Sequence, residues 1–250
     1  SLAMAPDNTD LRVRLARYLA SEGNNQEART QLETAIERAP DAEQPRAFLA
    51  RFLAEQGEHE AARKVVDQWR SDQPDSVLAQ NLAGDIAQLR GDSDAARQHY
   101  QEAIGMDESP ASHHALGALH ARDGNAKPAL EHLRRAVELA PDSPRYLRDL
   151  VSVAANHDAE DATRDFLARV ADESDSATAP HRYLLQVALE SGDDERASEL
   201  VAAIENRLDD SGQKVSVIAG AYLAAARTTA DRGNDGRTRE LVRQGRQRYT

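Results

Sequence analysis

Apolar positions along the chain keep step with a series of turn residues. Gly23, Gly57, Gly91, Gly124, Gly192 and Gly233 follow one another, and Asp158 fills the slot between Gly124 and Gly192. Successive separations are 34, 34, 33, 34, 34 and 41 residues. Eight positions before each turn stand Leu15, Leu49, Ala83, Leu116, Leu150, Leu184 and Ala225. Four before it stand Leu19, Leu53, Ala87, His120, Ala154, Ala188 and Thr229. That spacing of four puts two side chains on one stripe of a helix. A small residue follows five positions after the turn: Ala28, Ala62, Ala96, Ala129, Thr163, Ala197 and Thr238. Nine after it come Leu32, Val66, Tyr100, Leu133, Leu167, Val201 and Val242.

Each slot has a mechanical reason. Glycine at the turn ends the first helix in a left-handed conformation that β-branched residues resist. The small residue lets the second helix approach the first closely. Pro40, Pro74 and Pro141, each 17 residues past its glycine, stop the second helix because proline lacks an amide donor and restricts its predecessor. The pattern predicts an all-α chain of about seven helix-turn-helix repeats. They begin at Thr9, Glu43, Val77, Pro110, Pro144 and Thr178, with the last over 211–250 and its slots counted from Ala219. The run 1–8 reads as a leader, and 9–250 as a single stack with no natural domain boundary. No repeat can bury its apolar faces alone, so the seven pile into one elongated core. The softest joints are Asp172 to Thr178, where Ser and Asp replace the proline stop, and Asp209 to Gly212. The last repeat carries about seven extra residues, within Asp209 to Gly220 or in a longer first helix.

Leu116-Gly117, Gly124, Ala129, Leu133, Ala136 and Pro141 mark the fourth repeat most fully. With them the chain resembles the tetratricopeptide repeat family over nearly its whole length. It departs from the family in replacing most first-helix aromatics by Leu or Ala. The fifth repeat has also lost its turn Gly and its terminal Pro. The resemblance implies an α-solenoid, a right-handed superhelix whose inner wall is built by the first helix of every repeat. It also implies a scaffold or adaptor that holds protein partners, often as one region of a larger bacterial assembly, rather than an enzyme.

The family's ligand wall uses the second, fifth, ninth, twelfth and thirteenth residues of each repeat. Carried over position by position, the wall holds Arg17, Arg51, Asn81, Asp85, Gln88, His114, Arg122, Arg145, Arg148, Asn156, Arg182 and Gln186, with Ser21, Gln44, Glu55, Ser152, Glu190, Arg227 and Asp231 beside them. Arginine and amide groups outnumber acids there, although the chain as a whole carries −12. Arginine's rigid fork suits carboxylates, and Asn or Gln can pair with peptide amides. The expected guest of the stretch from Asn81 to Gln186 is a protein segment carrying acidic side chains or a free C-terminus. The plain alternative is a solvated face in a chain whose default cation is arginine, the only lysines being Lys64, Lys127 and Lys214. Heat-shock chaperone tails are not expected. The clamp that grips them needs a Lys and Asn set in consecutive repeats, and the third repeat has Asn81 and Asp85 in those slots.

Charge and composition narrow the remaining classes. A net −12 opposes sequence-independent binding to nucleic acid or anionic membranes, which need a positive field. Cysteine is absent, excluding disulfides and thiolate chemistry. No apolar run reaches the roughly 18 residues of a membrane span. No secretory signal opens the sequence, and cytoplasm and periplasm both stay open. No nucleophile elbow, P-loop or dinucleotide loop occurs. His59-Glu60 lacks the second His of a zinc protease helix. His113, His114 and His120, with His99 before them, are expected to pack or line the wall rather than bind metal, which needs three convergent ligands. No cofactor is expected. Asp193-Asp194 and Asp209-Asp210 read as helix-start or linker residues, and Trp69 as packing between repeats. From Arg232 onward, six arginines face two acids, a local charge of +4, on a helix that closes the stack or touches an acidic partner. The alternative function is a structural spacer or self-associating module without a groove ligand.

Overall fold

The computed structural model describes residues 8–174, 177–207 and 211–249. Among these, fourteen α-helices and no strand occur. They run in pairs: α1 (Thr9–Ser21) with α2 (Asn25–Arg38), α3 (Glu43–Glu55) with α4 (His59–Asp72), and α5 (Val77–Leu89) with α6 (Ser93–Met106). Then come α7 (Pro110–Arg122) with α8 (Ala126–Leu139), α9 (Pro144–Ala155) with α10 (Glu160–Glu173), α11 (Ala179–Ser191) with α12 (Asp194–Arg207), and α13 (Ser211–Asp231) with α14 (Asp235–Tyr249). The chain is all-α and built of helix-turn-helix repeats. The helices group into two compact units, residues 1–119 and 120–250.

The turns explain why the helices stop where they do. All six slot glycines have φ between +74° and +81°. At Gly23 the amide donates to Ala20 O at 3.1 Å and the Asn24 amide to Leu19 O at 2.8 Å. This pair of bonds satisfies carbonyls the ending helix would otherwise orphan. Asp158 adopts the same hand without glycine's freedom, at φ 52°. Helix starts are capped by side chains in several repeats, as where Ser76 Oγ accepts from the Ala79 amide and Asp193 Oδ1 from the Arg196 amide.

In the N-terminal unit, Leu19, Leu32, Leu53, Val66 and Trp69 belong to one apolar cluster. Trp69 is fully buried and donates its indole N–H to Gln73 at 2.8 Å, so it packs rather than offering a platform. The close-approach slots Ala28, Ala62 and Ala96 are all 0% exposed. At Gly84 the Tyr100 ring occupies the space of a side chain; an added Cβ would stand 2.7 Å from Tyr100 Cδ1.

In the C-terminal unit Leu133, Leu150, Leu167, Leu185, Ile204 and Leu241 share one cluster with Phe166. The extra residues of the last repeat lengthen its first helix, α13, to 21 residues. Asp142 Oδ1 takes the amides of Thr178 and Ala179 at 2.7 and 3.0 Å, fastening the start of α11. Residues 175–176 of the expected joint Asp172 to Thr178, the pair Asp209-Asp210 of the second, and 1–7 of the leader lie outside the described residues.

Candidate functional site

Arg145, Arg148 and Ser152 stand at i, i+3 and i+7 on α9, which places them on one helix face. Leu147, Leu150 and Ala154 are buried on the other. Asn156 caps the same helix and is exposed. On the neighbouring first helix, α11, Arg182 and Gln186 repeat the arrangement opposite the buried Leu184, Leu185 and Ala188. The apolar stripe thus decides the orientation of the polar one. α11 packs against both α9 and α13.

The exposed guanidiniums dominate the chemistry of this face. Arg145 and Arg182 are exposed. Arg148 is 72% exposed at its side chain, and its nearest carboxylate is the adjoining Asp149 at 3.6 Å. Gln186 Nε2 donates to Glu190 Oε1 at 2.8 Å. Glu190 is largely buried and also meets Arg232 at 3.4 Å. Between Arg182 and Gln186, burial pushes the Tyr183 phenol above its ordinary range, against the pull of Arg164. The face therefore offers forked cations beside amides whose acidic neighbour is already engaged.

The predicted wall residues of the N-terminal unit are placed differently. Arg17 lies over the Phe48 ring, 5.1 Å from its centroid, and Arg51 is exposed. Asn81 Nδ2 donates to Ser112 Oγ at 2.8 Å. Asp85 accepts the Tyr100 hydroxyl at 2.8 Å, a contact reached because Gly84 leaves room for the ring. Gln88 is half-buried. His114 is only 4% exposed, so the expectation that it lines an open wall meets a buried ring. Arg122, in the C-terminal unit, is exposed.

The histidines do not converge. His113 Nε2 lies 3.2 Å from Glu108, and His120 stacks on His132 at 5.8 Å with planes 2° apart. Among the described residues, no group of three or more His, Asp or Glu could hold a metal ion. None of their helices is long and apolar enough to cross a membrane.

Three features escaped the sequence reading. Gln80 is buried and bonded to Arg70 at 2.6 Å, to His99 at 3.2 Å and to Glu102. His181 is buried, and its Nδ1–H donates to Ala177 O at 3.1 Å, since a carbonyl can only accept. Burial first, and Arg207 second, hold its pKa below the usual imidazole value. Arg237, counted in the basic C-terminal stretch, instead ties α14 inward through Leu189 O at 2.9 Å, Asp194 at 3.1 Å and Glu240 at 2.9 Å. Gln80 and His181 share one slot, eleven residues before the turn, which Arg12, Arg46, His113, Leu147 and Tyr222 fill in the other repeats, so no apolar contrast marked either of them.

Known proteins share this organisation. Residues 1–45 and 19–86 match one tetratricopeptide repeat model, and 68–113 and 81–144 match a second. A TPR repeat-containing protein of Pseudomonas aeruginosa is 30% identical over 111 residues, 44% of this chain and 45% of that protein. The match spans less than half the length of that relative. The crystal structure of yeast Tom70 superposes with a TM-score of 0.60 at 18% identity, covering 69% of this chain and 38% of Tom70. The Cut9-Hcn1 hetero-tetramer structure gives 0.55 at 16% identity, covering 88% and 44%. A thermophilic TPR protein of Thermus thermophilus gives 0.51 at 16%, covering 78% and 98%. These likenesses concern the fold. The repeat models together span residues 1–144, more than half of the sequence, and the helix pairs carry the same period beyond them: the chain belongs to the tetratricopeptide repeat family.

Proposed function

We propose that this chain is a protein-interaction scaffold whose first-helix face on α9 and α11 binds an acidic peptide segment or a free C-terminus of a partner. The observation that carries the reading is the set Arg145, Arg148 and Arg182. All three are exposed on the polar faces of neighbouring first helices, in a chain whose net charge is −12. A solvent-facing arginine retains its five donors for a carboxylate and loses little order in gripping it. Asn156, exposed at the end of α9, can pair with the guest's backbone, and Gln186, whose Nε2 donates to Glu190, keeps its carbonyl oxygen for it. Asn81 and Asp85 already have partners within their own unit, so they support the guest less than the C-terminal arginines do.

The test is fluorescence anisotropy with three labelled decapeptides: acidic with a free C-terminus, acidic with an amidated C-terminus, and the lysine counterpart of the first. The acidic peptides should bind and weaken with added salt, as screened ion pairs do, while the lysine peptide should not bind. Comparing the first two separates side-chain from terminal recognition. Equal binding of all three would remove the proposal. A concentration-dependent oligomer in light scattering, with no peptide bound, would favour a self-associating spacer in its place.

A further inference from the structure

The last helix pair leaves open a crevice that earlier pairs fill. Between α13 and α14 lies a cleft of about 370 Å³, lined by Ala219, Tyr222, Leu223, Ala226, Leu241, Val242, Gly245 and Arg246. Within the same unit, α13 packs against both α11 and α12. There the corresponding His181, Leu185, Val201 and Ile204 are 2%, 0%, 1% and 0% exposed.

The repeat register makes the contrast quantitative. Val242 stands nine residues after its turn glycine, in the slot of Leu32, Val66, Tyr100, Leu133, Leu167 and Val201. None of those six exceeds 1% exposure, whereas Val242 is 40% exposed and Leu223, across the cleft, 63%. A slot that holds an apolar residue in every repeat is built to be covered, since exposed apolar area is unfavourable and clusters of it mark contact sites.

Charge around the cleft says what kind of helix covers it. Arg239, Arg243 and Arg246 stand at i−3, i+1 and i+4 from Val242, on the same side of α14, and all three are exposed. Among the described residues, no acidic one lines the cleft. Glu240, the acid nearest in sequence, is held by Arg237 at 2.9 Å. From these observations we infer that the α13–α14 cleft is a second binding site, which takes an amphipathic helix of a partner protein. That helix inserts an apolar stripe along Leu223 and Val242 and sets acidic residues against Arg243 and Arg246. This is helix-in-groove recognition. Leu223 stands in the slot of Arg148 and Arg182 on the next first helix, but the cleft is lined by α13 and α14 alone, so the inference does not depend on the α9–α11 arginines.

The probe is a pair of stapled, labelled 16-residue helices with Leu and Ala at i, i+3, i+4 and i+7, one flanked by Glu and one by Lys. The full chain should bind the Glu-flanked helix at least tenfold more tightly. Val242→Asp and Leu223→Glu should each reduce that binding at least tenfold with the circular dichroism melt retained. Arg243→Glu with Arg246→Glu should reverse the preference between the two helices. Arg148→Ala should leave this binding intact, so a failure here is distinct from a failure of the α9–α11 proposal. Absence of binding by either helix, or equal binding that Val242→Asp leaves intact, would overturn the inference. So would wild-type dimers, seen by light scattering and abolished by Val242→Asp, since they would assign the cleft to a second copy of the chain.

Discussion

Asn81, Arg148 and Arg182 occupy one slot of the repeat, yet the N-terminal unit closes that slot and the C-terminal unit leaves it open. Asn81 is bonded to Ser112, and four residues on, Asp85 takes the hydroxyl of Tyr100. On α9 and α11 the same slot points two guanidiniums at solvent. The difference comes from the neighbours. On α5, Asn81 meets Ser112 from α7 and Asp85 meets a tyrosine from α6, whereas α9 and α11 bear long cations that outreach their surroundings. An outward slot therefore gives direction, and the facing helix decides whether the group is available to a guest.

The two units also differ in how their interiors are filled, and the largest expected effect probes that. Trp69→Ala removes a fully buried indole from the N-terminal unit and should cost about 3–5 kcal/mol. Because repeat stacks are stabilised mainly by nearest-neighbour contacts, hydrogen exchange should show lost protection in α3 to α5 and a smaller change in α9 to α12. Uniform loss through all helices would show that the units do not differ in this way.

A smaller pair of effects concerns the turns. Gly57→Ala places a Cβ at φ +79° and should lower stability by about 1–2 kcal/mol. Asp158→Gly relieves a non-glycine left-handed residue and should raise stability by about 0.5 kcal/mol. Urea midpoints read both, and a shared sign would contradict the account of the turns.

The smallest effect is in pH. His181 is held below the ordinary imidazole value by burial and Arg207, with Arg196 adding to this and Asp172 opposing it. The folded state therefore resists protonation more than the unfolded chain does. Its contribution is intact above the unfolded value of about 6.5 and is lost as pH falls from there toward the folded pKa. His99 in the N-terminal unit shifts in the same direction, through burial first and Arg70 next, opposed by Glu102, Asp67 and Asp92. Between pH 7.5 and 5.5 the urea midpoint of wild type should fall more steeply than that of His181→Asn. Parallel slopes would remove His181 from the explanation.

Much of the fold was legible because steric rules fix it locally. A turn glycine, an alanine five residues later and an aliphatic nine later each answer to one constraint, and repetition turned weak signals into a strong one. The candidate site was legible only in part. The polar faces of α9 and α11 follow from their apolar stripes, so Arg145, Arg148 and Arg182 could be placed. The tyrosine that engages Asp85 lies 15 residues away, and the serine that holds Asn81 lies 31 away. No slot table pairs residues across helices. His114, expected to pack or to line the wall, has a buried ring, as Val13 and Ala47 are buried in the same slot of earlier repeats. Arg237 looked like one more surface cation because its three inward partners belong to α11, α12 and α14 itself.

Calorimetric titration of the acidic free-C-terminus peptide into wild type and Arg148→Ala/Arg182→Ala, with urea midpoints measured on both, tests the central claim most directly. Each lost charge-assisted contact is worth about 1.5–3 kcal/mol, so affinity should fall by at least about 100-fold. Stability should change by no more than about 0.5 kcal/mol, as expected for exposed side chains. Full affinity in the double variant, or a lowered midpoint accounting for the lost binding, would contradict it.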